Sequence, residues 1–177
     1  MPDDYVLKNG DVLKIDMGIT YERCIADAAI SLVIGGDHTN PVGADLIHAT
    51  KLALDRGIET LQFGQTPEAY GQVVYDTIQE SGYEVIRHLT GHGVGVQVHE
   101  EPSIYNRPHR NLAKVVLRPG MVIACEPITA ERSTDYAMEP GNDWNLYTEY
   151  GDLGAQREYT VAITDHGPEI LAGMSNI

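Results

Sequence analysis

The sequence predicts an α+β fold, and three observations carry that prediction. Apolar residues alternate with period 2 near the start of the chain, two segments with helical spacing follow one another between residues 41 and 82, and short glycine- and proline-bounded apolar runs fill the rest. Helices grouped beside strands, rather than alternating with them, argue for antiparallel sheets and against a parallel, doubly wound one. The 177 residues suffice for one domain with a substantial core, and no linker or internal repeat divides residues 1–177.

The first strands are expected at Val12 to Asp16 and at Tyr21 to Ile34, around Gly18, with Gly35-Gly36 closing the second. Leu46, Ile47, Leu52, Leu54, Ile58 and Leu61 then follow helical spacing, and Pro41 suits a first-turn position. Thr66-Pro67 reads as the start of a second helix that ends near Ser81-Gly82. Beyond it Gly91, Gly93 and Gly95 sit among Val94, Val96 and Val98, and Pro102, Pro108, Pro119 and Pro127 break every long run. Short strands result, the clearest at Met121 to Cys125, Tyr159 to Thr164 and Glu169 to Leu171.

Composition excludes several functions. With 26 Asp and Glu against 12 Lys and Arg, the net charge is −14, and no basic stripe is available to neutralise phosphates, so nucleic acid is not an expected partner. There is no apolar run of membrane-spanning length and no signal-peptide pattern after Met1, which gives a cytoplasmic address by default and no membrane partner. The two cysteines, Cys24 and Cys125, lie in apolar segments and read as buried thiols rather than as a disulfide framework.

Five side chains with metal-binding chemistry recur as Asp16, Asp27, His92, Glu126 and Glu158, each in an apolar run or beside glycines. Strand periodicity puts acids on a defined face, so two neighbouring strands can bring Asp16 and Asp27 to one point. An acid buried unpaired among apolar residues costs several kcal/mol. His92 stands in Gly91-His92-Gly93-Val94-Gly95, where glycines permit close backbone approach to an ion or substrate. His99 follows an odd number of positions later, which on an extended segment places it on the opposite face unless a turn intervenes. Glu126 ends an apolar strand before Pro127, and Glu158 opens one in Gln156-Arg157-Glu158-Tyr159-Thr160. Four carboxylates and one imidazole suit two hard or borderline divalent ions, Co, Mn, Fe or Zn, better than a zinc finger or a copper centre.

The segments Asn9 to Asp16, Gly91 to Gly95, His99-Glu100-Glu101-Pro102, Pro119-Gly120-Met121, Glu126-Pro127 and Gln156 to Thr160 resemble, in order, the motifs of the methionine aminopeptidases. The resemblance covers nearly the whole chain. It implies the pita-bread, creatinase-like fold, an antiparallel curved sheet with helices on its outer face, and a dinuclear site on Asp16, Asp27, His92, Glu126 and Glu158. The interval from Glu126 to Glu158 is long, as in the methionine enzymes, and that from His92 to Glu126 is too short for the insertion of the type 2 branch, so type 1 is the better match. Two departures stand out: Tyr159 where the family has His, and Val98 where it has an aromatic. The segment beginning Met1-Pro2-Asp3-Asp4 resembles the middle of a family segment, so an N-terminal portion with its catalytic His is expected to be lacking and a partner chain supplying it is conceivable.

What the resemblance implies is hydrolysis of the first peptide bond of nascent polypeptides that begin with methionine. Glu126 would be ligand and proton shuttle, His99 a donor to the substrate carbonyl, and Trp144 part of the substrate entrance. The alternatives are a non-catalytic or incomplete creatinase-like module that binds peptides or proteins, and a relative of the Xaa-Pro peptidases.

Overall fold

A computed structural model of the chain describes residues 4–141 and 145–173. It opens with a long hairpin, β1 (Val12–Tyr21) and β2 (Cys24–Val33), followed by two helices, α1 (Pro41–Ile58) and α2 (Glu68–Glu80). Ten short strands complete it: β3 (Glu84–Val85), β4 (Gly91–Gly93), β5 (Glu100–Ile104), β6 (Val122–Cys125), β7 (Ile128–Ala130), β8 (Tyr136–Met138), β9 (Leu146–Thr148), β10 (Gly154–Gln156), β11 (Tyr159–Thr164) and β12 (Gly167–Ala172). All strand pairs are antiparallel, in a five-stranded sheet of order β12-β11-β6-β4-β5, a three-stranded sheet of order β10-β7-β3, and the hairpins β1-β2 and β8-β9.

The hairpin runs further than the sequence suggests. Its strands pair from Val12 with Val33 to Tyr21 with Cys24, and Gly18 lies within β1 opposite Asp27. The reversal falls on Glu22 and Arg23, both in the left-handed region with φ of 46° and 71°. Such two-residue turns match the twist of paired strands, but the usual Asn-Gly signature is absent, so nothing in the residue types marks the turn. One face of β1 carries Ile15, Met17, Ile19 and Tyr21, all exposed, and the other carries Lys14, Asp16 and Gly18.

The start of α1 is capped: the Asn40 side chain accepts a hydrogen bond from the Gly43 amide at 3.0 Å with Pro41 in the first turn. At α2 Pro67 takes the cap position rather than the first helical one, no side chain caps the helix, and the Thr66 hydroxyl donates to the Glu68 carboxylate. Ala49, Ala53, Leu54 and Ile58 of α1 pack with Tyr70, Val74 and Ile78 of α2 against Ile123, Cys125, Tyr159, Val161 and Ile163 of the sheet. That core determines the direction of the site. Alternation along β6 and β11 gives Cys125 and Tyr159 to the helices, so their neighbours Glu126 and Glu158 take the other face.

Candidate active site

Besides a hydrogen bond from the Ile25 amide to the Gly95 carbonyl, the hairpin is held alongside residues 156–160 by one backbone bridge and two hydroxyls. The Glu158 amide donates to the Ala29 carbonyl at 2.9 Å. On one side of this bridge the Thr160 hydroxyl accepts from the Asp27 amide at 2.8 Å and donates to the Asp27 carbonyl at 2.7 Å. On the other side the Ser31 hydroxyl accepts from the Gln156 amide and donates to its carbonyl, both at 3.0 Å. Side chains thus replace backbone pairing on either side of Glu158, and they hold Asp27 in line with it.

Asp27, His92 and Glu158 are buried, and one ligand atom from each lies within 4.8 Å of the others, a spacing that suits a shared metal ion. Glu126, also buried, approaches the same point: its Oε1 is 3.2 Å from His92 Nε2, and Tyr159 pairs with Cys125 in the adjacent register. Asp16 lies diagonally from Asp27 on the same hairpin face, since Asp16 pairs with Ala29 and Gly18 with Asp27. Unlike the others it stays open to solvent, its side chain 40% exposed and 3.7 Å from Lys14 Nζ.

Such crowding of acids has an electrostatic signature. Burial, then the charges of Glu126, Asp27 and Asp16, push the Glu158 carboxyl up to about 9, and Lys14 opposes the shift. Burial also raises Glu126, against the pull of His92 and with the push of Asp16 and Asp27. For His92, burial disfavours the charged ring but is outweighed by the hydrogen bonds to Glu126 and to the Gly93 carbonyl, so its pKa is raised. A Glu158 carboxyl that keeps its proton near neutrality would surrender it to a divalent cation. The donor set of oxygens with one nitrogen fits such an ion.

His99 reaches this group by a route that extended geometry does not permit. The chain reverses between β4 and β5, which pair through Gly91 with Ile104 and Gly93 with Glu100. The two imidazoles meet edge to face, with ring centroids 4.3 Å apart. Two of the glycines permit close approach of the neighbouring strands. A Cβ at Gly91 would strike the Ala124 carbonyl, and one at Gly93 the Glu101 carbonyl.

A cavity of about 660 Å³ is lined in part by Asp16, His99, Glu126, Lys14 and Gln156. Ile86, Leu89, Ile128, Tyr136, Leu146 and Tyr147 make much of its wall apolar. Trp144, expected at the substrate entrance, lies outside the described residues; Leu146 and Tyr147 nearby line the cavity. Tyr159 points the other way, buried among the helices with its hydroxyl donating to Asp55 at 3.2 Å, and Val98 is not part of the cavity wall. Neither departure from the family pattern therefore borders the cavity.

Sequence reasoning missed Lys14, Gln156, Thr160 and Ser31. Lys14 Nζ donates to Gln156 Oε1 at 2.9 Å, and Gln156 Nε2 donates to Glu126 Oε2 at 3.0 Å. The available signal was strand periodicity: Lys14 precedes Asp16 by two positions, and Gln156 and Thr160 flank Glu158 by two, so all share the faces of the acids.

Comparison with known proteins identifies the family and the fold. The metallopeptidase family M24 matches residues 1–165. A methionine aminopeptidase of Aquifex aeolicus is 38% identical over 168 residues, covering 94% of this chain and 64% of that protein. One from Clostridium acetobutylicum is 36% identical, with coverage of 94% and 65%. The chain thus spans somewhat under two thirds of the length of these relatives. The crystal structure of a Thermotoga maritima methionine aminopeptidase superposes with a TM-score of 0.88 at 32% identity, covering 96% of this chain and 66% of that one. A prolidase from Pyrococcus furiosus gives 0.73 at 26%, covering 98% and 44%. The fold is accordingly the pita-bread fold shared by these enzymes, and the chain belongs to metallopeptidase family M24.

Proposed function

We propose that this chain is a metal-dependent aminopeptidase that removes the initiating methionine from polypeptides, with Asp16, Asp27, His92, Glu126 and Glu158 as ligands of two divalent ions. The observation that carries the proposal is the convergence of the buried acids Asp27, Glu126 and Glu158 around one imidazole, that of His92. Divalent ions bound there would supply Lewis acidity and lower the pKa of a water towards neutrality, and Mn, Fe, Co and Zn all suit these donors.

Protein groups supply the rest. Glu126 has one oxygen near His92 and the other held by Gln156, which fixes its carboxylate against the cavity. From there it takes a proton from the attacking water and delivers it to the leaving amine. His99, on the cavity wall, donates to the scissile carbonyl and the oxyanion that develops from it. The apolar wall of Ile86, Leu89, Ile128 and Leu146 receives the methionine side chain.

The relatives' activity makes nascent polypeptide N-termini the proposed substrates and the cytoplasm the proposed address. No helix among the described residues is long and apolar enough to cross a membrane. Nothing in the comparisons supports a separate partner chain. The prolidase likeness favours one second reading, cleavage of Xaa-Pro peptides.

Hydrolysis of Met-Ala-Ser and of Ala-Pro by the Mn-loaded chain tests the proposal. Release of methionine is expected. Cleavage of Ala-Pro alone would favour the second reading, and metal uptake with neither product would favour a binding module.

A further inference from the structure

Gln156 is buried, only 2% exposed, and its side-chain amide stands between two charged groups of opposite character. Lys14 Nζ donates to its Oε1 at 2.9 Å, and its Nε2 donates to Glu126 Oε2 at 3.0 Å. These are its side-chain partners among the described residues. Its backbone is fixed separately, since the Ser31 hydroxyl takes both its amide and its carbonyl. The freedom left to the side chain is to turn its amide over, exchanging oxygen and nitrogen in the same space.

Lys14 forbids that exchange. An ammonium only donates and an ionised carboxylate only accepts, so an amide between them fits in one sense alone, oxygen to the lysine and nitrogen to the glutamate. Turned over, it would set N–H against the ammonium and a carbonyl oxygen against the carboxylate, and in a buried place neither mismatch is relieved. Lys14 is delivered by the strand, because residues two apart in β1 share the face of Asp16. Its contact with Gln156 is shorter than its 3.7 Å approach to Asp16, and no other lysine or arginine lines the cavity among the described residues.

Resting on the aminopeptidase reading above, in which Glu126 moves the proton, we propose that Lys14 is a positioning residue. It acts on Glu126 through Gln156, by fixing the sense of the buried amide so that the carboxylate meets a donor and is held in place for proton transfer. Among the described residues Lys14 makes no hydrogen bond or ion pair with Glu126 itself.

Two measurements on the full chain test this. The first compares kcat and KM on Met-Ala-Ser with Mn²⁺ for Lys14→Arg, Lys14→Met, Lys14→Glu, Gln156→Leu and the pair Lys14→Met with Gln156→Leu. Arginine also only donates, so Lys14→Arg should stay close to wild type. Lys14→Met frees the amide to turn and should lower kcat by about tenfold with KM little changed. Lys14→Glu accepts, which reverses the amide, and should lower kcat by about a hundredfold. In the Gln156→Leu background Lys14→Met should cost nothing further. An equal loss in both backgrounds would overturn the inference, since Lys14 would then act by its charge alone, and so would a loss in Lys14→Arg as large as in Lys14→Met.

The second measurement reads the amide by NMR in the metal-free chain, with the Gln156 side-chain signal identified by its disappearance in Gln156→Leu. Its protons should be shifted and slow to exchange in wild type and Lys14→Arg, and should move to the position of an ordinary glutamine in Lys14→Met. A signal unmoved by Lys14→Met would overturn the inference whether or not the chain is active. A signal that moves as stated in a chain that releases no methionine would count against the aminopeptidase reading alone.

Discussion

Thr160 holds both backbone groups of Asp27, accepting from its amide at 2.8 Å and donating to its carbonyl at 2.7 Å, in place of the strand pairing that stops at Ala29 and Glu158. This hydroxyl, with the backbone bridge from Glu158 to Ala29, sets the distance between the candidate ligands Asp27 and Glu158.

Thr160→Val keeps the shape of the side chain and leaves a buried amide and carbonyl of Asp27 without that partner. The expected cost is about 2 kcal/mol of stability. Melting should fall by roughly 4–8 °C, and Mn²⁺ affinity by about tenfold, since Asp27 is then free to drift. Thr160→Ser, which retains the hydroxyl, should stay close to wild type in both thermal melts and metal titrations. Equal losses in the two variants would show that the methyl, not the hydroxyl, matters.

The bare site makes stability fall with pH. The Glu158 carboxyl sits at about 9 in the folded chain against 4.5 as an ordinary glutamate, so the folded state holds a proton that the unfolded state releases. That contribution is complete below about 4.5 and is lost as pH rises towards about 9. The raised pKa values of Glu126 and His92 act in the same direction. Chelator-treated protein should therefore melt at least about 5 °C lower at pH 8.5 than at pH 5.5. Glu158→Gln should flatten that slope, and saturating Mn²⁺ should remove it. A slope unaltered by Glu158→Gln would place its origin elsewhere.

Gly93 and Gly95 separate a steric requirement from a permissive one. A methyl at Gly93 meets the Glu101 carbonyl of the paired strand, while at Gly95 the nearest atoms are the Glu100 carboxylate oxygens at 3.4 Å. Gly93→Ala should cost about 2 kcal/mol or more and disturb the approach of His92 to His99, whereas Gly95→Ala should cost less than about 1 kcal/mol. Urea unfolding of the two variants measures the contrast, and equal costs would contradict the strand crowding described.

His99 touches the cavity and lies edge-on to His92 without belonging to the cluster of Asp27, His92 and Glu158. His99→Ala should lower kcat on Met-Ala-Ser by about a hundredfold and leave the number of bound ions unchanged. Loss of an ion in this variant would make His99 a ligand instead.

Much of this was legible in the residues. Pro41 and the spacing of Leu46, Leu54 and Ile58 mark α1, and the apolar run ending at Thr164 marks β11. Asp27, His92, Glu126 and Glu158, picked out by chemistry along the chain, stand together in space. The hairpin turn was not legible, because Glu22 and Arg23 adopt positive φ without the residue types that favour it. The meeting of His92 and His99 was hidden by a reversal that periodicity alone cannot register. The contact of Lys14 with Gln156 joins opposite ends of the chain, and only the seating of β2 against β10 and β11 brings it about.

The most direct test of the metal site is anomalous diffraction at the manganese edge from crystals grown with Mn²⁺. A strong peak is expected among Asp27, His92, Glu126 and Glu158, and a second beside Asp16. Crystals saturated with Mn²⁺ that show no peak at these side chains would contradict the metal site.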